Sequence, residues 1–187
     1  MIRELRPAQV VEVGGGYSTM LAARASVANG ATDLVCIEPE PRPELRRGLA
    51  GLSALIEKPV QEANLSLFEK LGSGDILFID GTHVSRVASD VNYLFLEIVP
   101  RLARGVVLHV HDVFTPWEYP EHWIREQQIF WNEQYLLEAF LLFNREFEPL
   151  CFMNFLGRMA PEAFRDALGL SPGAPAGGSS AWLRRSS

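Results

Sequence analysis

The order of apolar runs predicts an α/β fold: a Rossmann-like, doubly wound, mostly parallel seven-stranded sheet with an antiparallel closing strand. Three observations predict it. Short β-branched runs alternate with helix-length segments five times over, the order that builds a parallel sheet with helices on both faces. The first run, Val10, Val11 and Val13, breaks into Gly14, Gly15 and Gly16 before a helix-friendly segment. The last two runs follow one another with no expected helix between them, which calls for a hairpin-like, antiparallel closure.

Taken in order, residues 2–9 are a short lead-in ending near Pro7. The first strand carries one acid, Glu12, and ends at the glycines, where the backbone can approach a ligand without Cβ obstruction. Ser18 or Thr19 is the expected N-cap of a helix over 19–28, stopped by Asn29-Gly30. A second strand, 33–38, ends in Glu38; Pro39, Pro41 and Pro43 stiffen the turn into a helix over 43–52. The run 54–61 reads as a third strand, with Pro59 at an edge or bulge. A short helix and turn over 66–75 lead into a fourth strand, 75–80. The segment 86–102 spaces Val87, Val91, Leu94, Phe95, Ile98 and Leu102 as one helical stripe. A fifth strand spans 106–111, a two-proline loop 113–120, and a long aromatic helix 121–144. A sixth strand over 148–157, a Gly/Pro-rich connector at 171–180 and a final strand at 181–185 complete the expected fold.

At 187 residues the chain is sized for a single domain over 1–187. A net charge of −6 argues against a general nucleic-acid binder, which needs a basic face for phosphates. No apolar run reaches the length of a membrane span and no signal peptide is expected, so the expected location is the cytoplasm. Cys36 and Cys151, far apart and outside any CxxC pattern, read as buried free thiols.

In an open parallel sheet the ligand crevice lies beyond the carboxyl ends of the strands. Those ends here carry Gly14–Gly16, Glu38, Gln61-Glu62, Asp80 and His111-Asp112. No Lys-Ser/Thr pair closes the glycine turn, and Thr19 stands where a dinucleotide fingerprint has its third glycine. Glu38 sits where nucleoside-binding folds place a carboxylate for both ribose hydroxyls.

The spacing Glu12-x-Gly14-x-Gly16 resembles the first motif of class I S-adenosylmethionine-dependent methyltransferases. The block Asp80-Gly81-x-His83, Asp90, Gly105, His111-Asp112 resembles the family-24 type, whose relatives include sugar and macrolide O-methyltransferases. The resemblance covers roughly residues 8–113 and the closing strand pair. It implies O-methylation of a small-molecule hydroxyl with S-adenosylmethionine as cofactor. Glu12, Gly14, Gly15, Gly16, Ser18, Glu38, Gln61, Glu62 and Asp80 are then the cofactor-binding candidates, the Gln61-Glu62 pair at the adenine end. Asp80, His83 and His111 are the catalytic candidates, with a histidine of near-neutral pKa as proton acceptor. Asp80, His111 and Asp112 are the candidates for a divalent metal, magnesium or a transition metal. His111 departs from the metal-binding relatives, which carry an acid there, and imidazole suits transition metals better than magnesium. Strand alternation puts His109 and His111 on one face, so Asp112 joins them only if the chain turns there. His109 reads as a satisfied core histidine and His122 as surface.

Trp117, Tyr119, Trp123, Phe130, Trp131 and Tyr135 crowd the stretch after the fifth strand, which can build an acceptor pocket, a core or a homo-oligomer contact through 117–143. About nine residues precede the first strand, where many relatives carry covering helices. Three other functions fit parts of the pattern: an NAD-binding oxidoreductase, a metal-dependent hydrolase on Asp80, His83, His111 and Asp112, and a catalytically silent binding protein.

Overall fold

The computed structural model describes residues 1–186. A short helix α1 (Ile2–Leu5) precedes β1 (Gln9–Val13), α2 (Tyr17–Asn29), β2 (Asp33–Ile37), α3 (Pro43–Arg46) and β3 (Ala54–Ile56). A 3-10 turn, Val60–Glu62, leads to α4 (Ser66–Glu69), β4 (Ile76–Ile79), α5 (Asp90–Tyr93) and β5 (Val107–His111). Then come α6 (Glu121–Arg125), α7 (Glu133–Leu141), β6 (Phe147–Phe152), α8 (Met153–Met159), α9 (Pro161–Leu168) and β7 (Ser180–Arg185).

The seven strands form one sheet in the order β3-β2-β1-β4-β5-β7-β6. Pairings among β1 to β5 are parallel, and β7 runs antiparallel to both β5 and β6. The expected closure is therefore present. Strand alternation divides the core into two layers. Val11, Val13, Leu77, Ile79, Leu108 and Val110 face the larger cluster, built with Val91, Leu94, Phe95 and Ile98. Val10, Leu34, Ile76, Phe78 and Val107 face the other side, packed on Ala22 and Ala23 of α2.

Several boundaries differ from the sequence reading. Helix α2 starts at Tyr17 with Gly16 as N-cap, and Thr19 is its third residue, accepting from Gly16 N–H at 2.9 Å. Ser18 is thus not a cap; its hydroxyl donates to Glu12 Oε1 at 2.6 Å. The third strand stops at Ile56, because Pro59 opens the 3-10 turn that holds Gln61 and Glu62. Helix α3 covers only four residues of the expected 43–52. Helix α5 starts at Asp90, where Ser89 Oγ accepts from Asn92 N–H, and Val87 lies outside it, 96% exposed. It continues as a wide π turn, Leu94–Ile98, and closes at Pro100 in a 3-10 turn.

The aromatic segment is not one helix. The loop of His83 captures its middle: Asn132 and Glu133 N–H donate to His83 C=O at 3.0 and 3.2 Å, and Ser85 N–H donates to Asn132 Oδ1 at 2.6 Å. These bonds make Asn132 the N-cap of α7 instead of a mid-helix residue. The last two strands are likewise separated by α8 and α9. Pro161 at the first turn of α9 and Gly169 at its left-handed end are ordinary start and stop signals that the sequence reading passed over. Cys36 is buried and Cys151 only partly so; both are free thiols. No helix among the described residues is long and apolar enough to cross a membrane.

Candidate active site

Gly14 has φ of +89°, and a Cβ there would lie 1.7 Å from Asp80 C=O, so only glycine lets β1 and β4 bring these residues together. Gly15 N–H donates to Glu38 Oε2 at 2.8 Å, while Glu40 N–H donates to Glu38 Oε1 at 2.9 Å. Two backbone donors thus fix the Glu38 carboxylate at the cleft and leave its remaining lone pairs for a ligand. A cavity of about 300 Å³ runs from Gly14 and Glu38 past Gln61 and Asp80 to Asp90. A neighbouring one of about 390 Å³ is lined by Gly14–Gly16, Ser18, Glu38, Asp80 and His111. Thr82 N–H and Oγ1 both bond Asp90, at 2.8 and 2.6 Å, closing the turn after Asp80.

Gln61 lines the first cavity; its Nε2 donates to Ala88 C=O at 3.0 Å, and its buried Oε1 has no partner. Glu62 is exposed and lines neither cavity, because the 3-10 turn directs it outward. Glu12 is fully buried behind the glycine turn. Burial pushes its carboxyl up to about 7 against hydrogen bonds from Ser18 and Thr19, and Oε2 has no partner.

At the ends of β4 and β5 four sequence-predicted residues converge. Asp80 Oδ1 lies 3.3 Å from both His83 Nε2 and His111 Nδ1. Asp112 Oδ2 lies 3.3 Å from His111 Nδ1 and 3.9 Å from His83 Nε2. Asp112 reaches them because β5 has ended at His111 and Asp112 itself has φ of +53°, the turn that strand alternation required. Ser179 Oγ holds its other oxygen at 2.6 Å.

Burial opposes charge on His83, but hydrogen bonds to Asp80 and Glu133 outweigh it and raise its pKa to about 9. Burial likewise opposes charge on His111, and the Asp112 and Asp80 carboxylates lift it to about 10. The expected near-neutral base is thereby corrected: both imidazoles hold their protons at pH 7 when only the acids surround them. Burial pushes the Asp80 and Asp112 carboxyls up, but the two imidazolium neighbours hold both below the usual range, with Ser179 assisting at Asp112.

Sequence reasoning missed Glu133. Its Oε2 meets His83 Nδ1 at 2.8 Å, and with Trp131, 4.2 Å from the His83 ring, it fixes that imidazole. Burial pushes the Glu133 carboxyl up even though His83 pulls it down, and its Oε1 has no partner. The available signal was an Asn-Glu helix start inside the aromatic run. Of the other aromatics, Phe114 packs on Tyr119 and Trp123 and Trp117 on Phe155, while Phe130 and Tyr135 are exposed.

His109 is not the hydrogen-bonded core residue expected. Its ring is stacked between Phe78 (4.2 Å) and Trp182 (3.8 Å), and burial lowers its pKa to about 3. His122 is exposed, as expected.

A metal fits this donor set by one observation in particular. His111 Nδ1 is buried, and although two carboxylates lie 3.3 Å away neither is aligned as a hydrogen bond. Asp80, His83 and His111 each offer one ligand atom, all within 4.8 Å of one another. Two imidazoles and a carboxylate suit a transition metal better than magnesium.

One antiparallel strand inserted at β7, with a cleft beyond the parallel strand ends, defines a Rossmann-like methyltransferase-type α/β fold. The chain belongs to the methyltransferase-domain family, whose profile matches residues 11–113. An uncharacterized protein of Archaeoglobus fulgidus is 39% identical over 70 residues, which span 35% of this chain and 32% of that relative. The match therefore covers about a third of the relative's length. The plantazolicin methyltransferase BpumL in complex with SAH superposes with TM-score 0.57 at 14% identity, over 97% of this chain and 77% of its own. An O-methyltransferase from Bacillus cereus in complex with SAH gives 0.52 at 14% identity, over 100% and 77%. At these identities the structures speak for the fold alone.

Proposed function

We propose that this chain transfers the methyl group of S-adenosylmethionine to a hydroxyl of a small molecule. The observation that carries the reading is the Glu38 carboxylate fixed by Gly15 N–H at the rim of the cleft that also holds Asp80 and His111. Glu38 would hold the ribose end, the partnerless Gln61 Oε1 is available to the adenine end, and the backbone of Gly14–Gly16 would flank the amino-acid end. S-adenosylmethionine supplies an electrophilic methyl on a sulfonium sulfur. An acceptor oxygen lone pair would form the new C–O bond as the S–C bond breaks, leaving S-adenosylhomocysteine, and His111 Nδ1 in its neutral form would take the hydroxyl proton. Positioning of the two reactants supplies much of the rate in such an in-line displacement. Alternatively, Asp80, His83 and His111 are the residues that would hold a divalent transition metal, which would acidify the acceptor hydroxyl in place of proton transfer to His111. The small-molecule acceptor is supported by the −6 net charge, which disfavours a polyanion.

Calorimetry with S-adenosylhomocysteine and with NAD, run in parallel, tests the reading. Binding of the former alone is expected; binding of NAD alone would overturn it in favour of an oxidoreductase. In Asp80→Ala, transfer should vanish while S-adenosylhomocysteine binding stays measurable, and normal turnover would reject the role of Asp80.

A further inference from the structure

Two further cavities, of about 800 and 520 Å³, lie on the α2 side of the sheet. Both are lined by Met1, His109, His111 and Trp182, so they are two lobes meeting along one line. The floor is the Phe78–His109–Trp182 row. Its three rings stack at 4.2 and 3.8 Å with interplanar angles of 11° and 10°, so the imidazole has both faces covered and meets the groove by its edge. One wall is α8 and α9, with Met153, Leu156 and Phe164. The opposite wall is α2, with Leu21, Ala22 and Ala25. Alanines on both walls, Ala163 and Ala167 on one and Ala22 and Ala25 on the other, keep the groove open.

His111 lines both lobes and the cavity of the glycine turn. A molecule lying in the groove thus brings its tip to the cluster that the cofactor cleft also reaches. Ser179 Oγ, at the edge, is already engaged by Asp112. We propose that this groove is the acceptor site and that the acceptor is a predominantly apolar phenol or alcohol, not a sugar. This rests on the methyltransferase reading above. The lining is predominantly aliphatic and aromatic, with Arg3, Glu4, Glu12, Ser18, Ser179 and Ser180 as its polar side chains besides the histidines, too few to partner all the hydroxyls of a sugar, whereas an apolar body is favoured. Each lobe lies within the roughly 300–1,000 Å³ of sites for drug-sized ligands. The wall formed by α8 and α9, and Trp182 with it, lie outside the stretch matched by the family profile.

The test titrates 2-naphthol and methyl α-glucoside into the protein saturated with S-adenosylhomocysteine, comparing wild type with Ala163→Trp and Ala25→Trp on opposite walls. We expect 2-naphthol to bind, methyl α-glucoside not to bind, and each substitution to weaken 2-naphthol at least tenfold while S-adenosylhomocysteine affinity stays within twofold. Two walls are used so that a folding defect in one variant leaves the other to decide. Unchanged 2-naphthol binding in the variants, no 2-naphthol binding by the wild type, or tighter binding of the glucoside overturns the proposal. So does a wild-type dimer that Ala163→Trp dissociates without altering 2-naphthol affinity, which would make the groove a contact between copies. If S-adenosylhomocysteine fails to bind the wild type, the cofactor reading falls instead, and 2-naphthol sensitivity to the two substitutions then measures the groove separately.

Discussion

Gly14→Ala is the substitution whose cost the structure sets most directly. The residue sits at φ +89°, a region costing a non-glycine residue about 1–2 kcal/mol. Its new Cβ would stand 1.7 Å from Asp80 C=O and 2.5 Å from Asp80 C, so the backbone at the end of β4 must move. Forcing extra atoms into a packed site costs about 1–3 kcal/mol. The sum, about 2–5 kcal/mol, is a large part of the stability of an ordinary domain. Gly30→Ala is the internal control: φ is +81° but nothing lies within 4 Å of the added Cβ, so only the conformational part remains. Urea unfolding followed by circular dichroism should therefore place Gly14→Ala below Gly30→Ala by about 1 M in midpoint, taking about 2 kcal/mol for the contact part and a slope of about 2 kcal/mol/M. S-adenosylhomocysteine affinity should fall in Gly14→Ala alone, since Asp80 and the turn move together. Coincident midpoints for the two variants would refute the claim that Gly14 is required by contact with Asp80.

Glu38→Gln removes a charge-assisted acceptor worth about 1.5–3 kcal/mol, so S-adenosylhomocysteine should bind about ten- to a hundredfold more weakly by calorimetry; undiminished affinity would detach Glu38 from the ribose. Glu133→Gln should bring the His83 pKa down from about 9, read from imidazole proton shifts against pH, and an unmoved titration would mean Glu133 does not hold the ring. Stability should fall as pH rises above 6.5, measured as urea midpoints across pH. His83, raised from 6.5 to about 9, and His111, raised to about 10, stabilise fully below 6.5 and lose that contribution as pH climbs through their folded values. His109, lowered to about 3, instead loses its contribution as pH falls below 6.5. Flat midpoints from pH 6 to 9 would contradict the ion-pair cluster. Methyl transfer without added metal should rise with pH toward about 10 as His111 deprotonates, whereas a rate independent of pH above 7 would remove His111 as the proton acceptor.

The parallel strands were legible because each is a short β-branched run that period and punctuation expose without tertiary information. The carboxyl ends of β1, β2, β4 and β5 were legible for the same reason, which is why Glu38, Asp80 and His111 could be named before any contact was known, whereas β3 ends at Ile56, short of Gln61-Glu62. Sequence reasoning failed where long-range bonds override local pattern. Within 121–144 only the Asn132-Glu133 pair marks a helix start, and it does not tell that His83 C=O will capture both residues and split the helix. Val87 fits the helical stripe by spacing, but Ser89 caps the helix after it. Glu133 lies 50 residues from its partner, a separation no motif spans. Charge was the other blind spot, since the protonation of His83 and His111 depends on how many carboxylates converge on them.

The reversed strand β7 has a consequence for how the chain is made. It pairs with both β5 and β6, so residues 180–185 fill the slot between two strands formed earlier in the sequence. Until they leave the ribosome, the edge of β5 stands open with its Val107, Leu108 and Val110 row of backbone donors and acceptors unclaimed. Such an edge pairs readily with other nascent chains. Synthesis halted before residue 180 should therefore yield an aggregating polypeptide, and a chaperone able to shield β5 would matter most until β7 has been made.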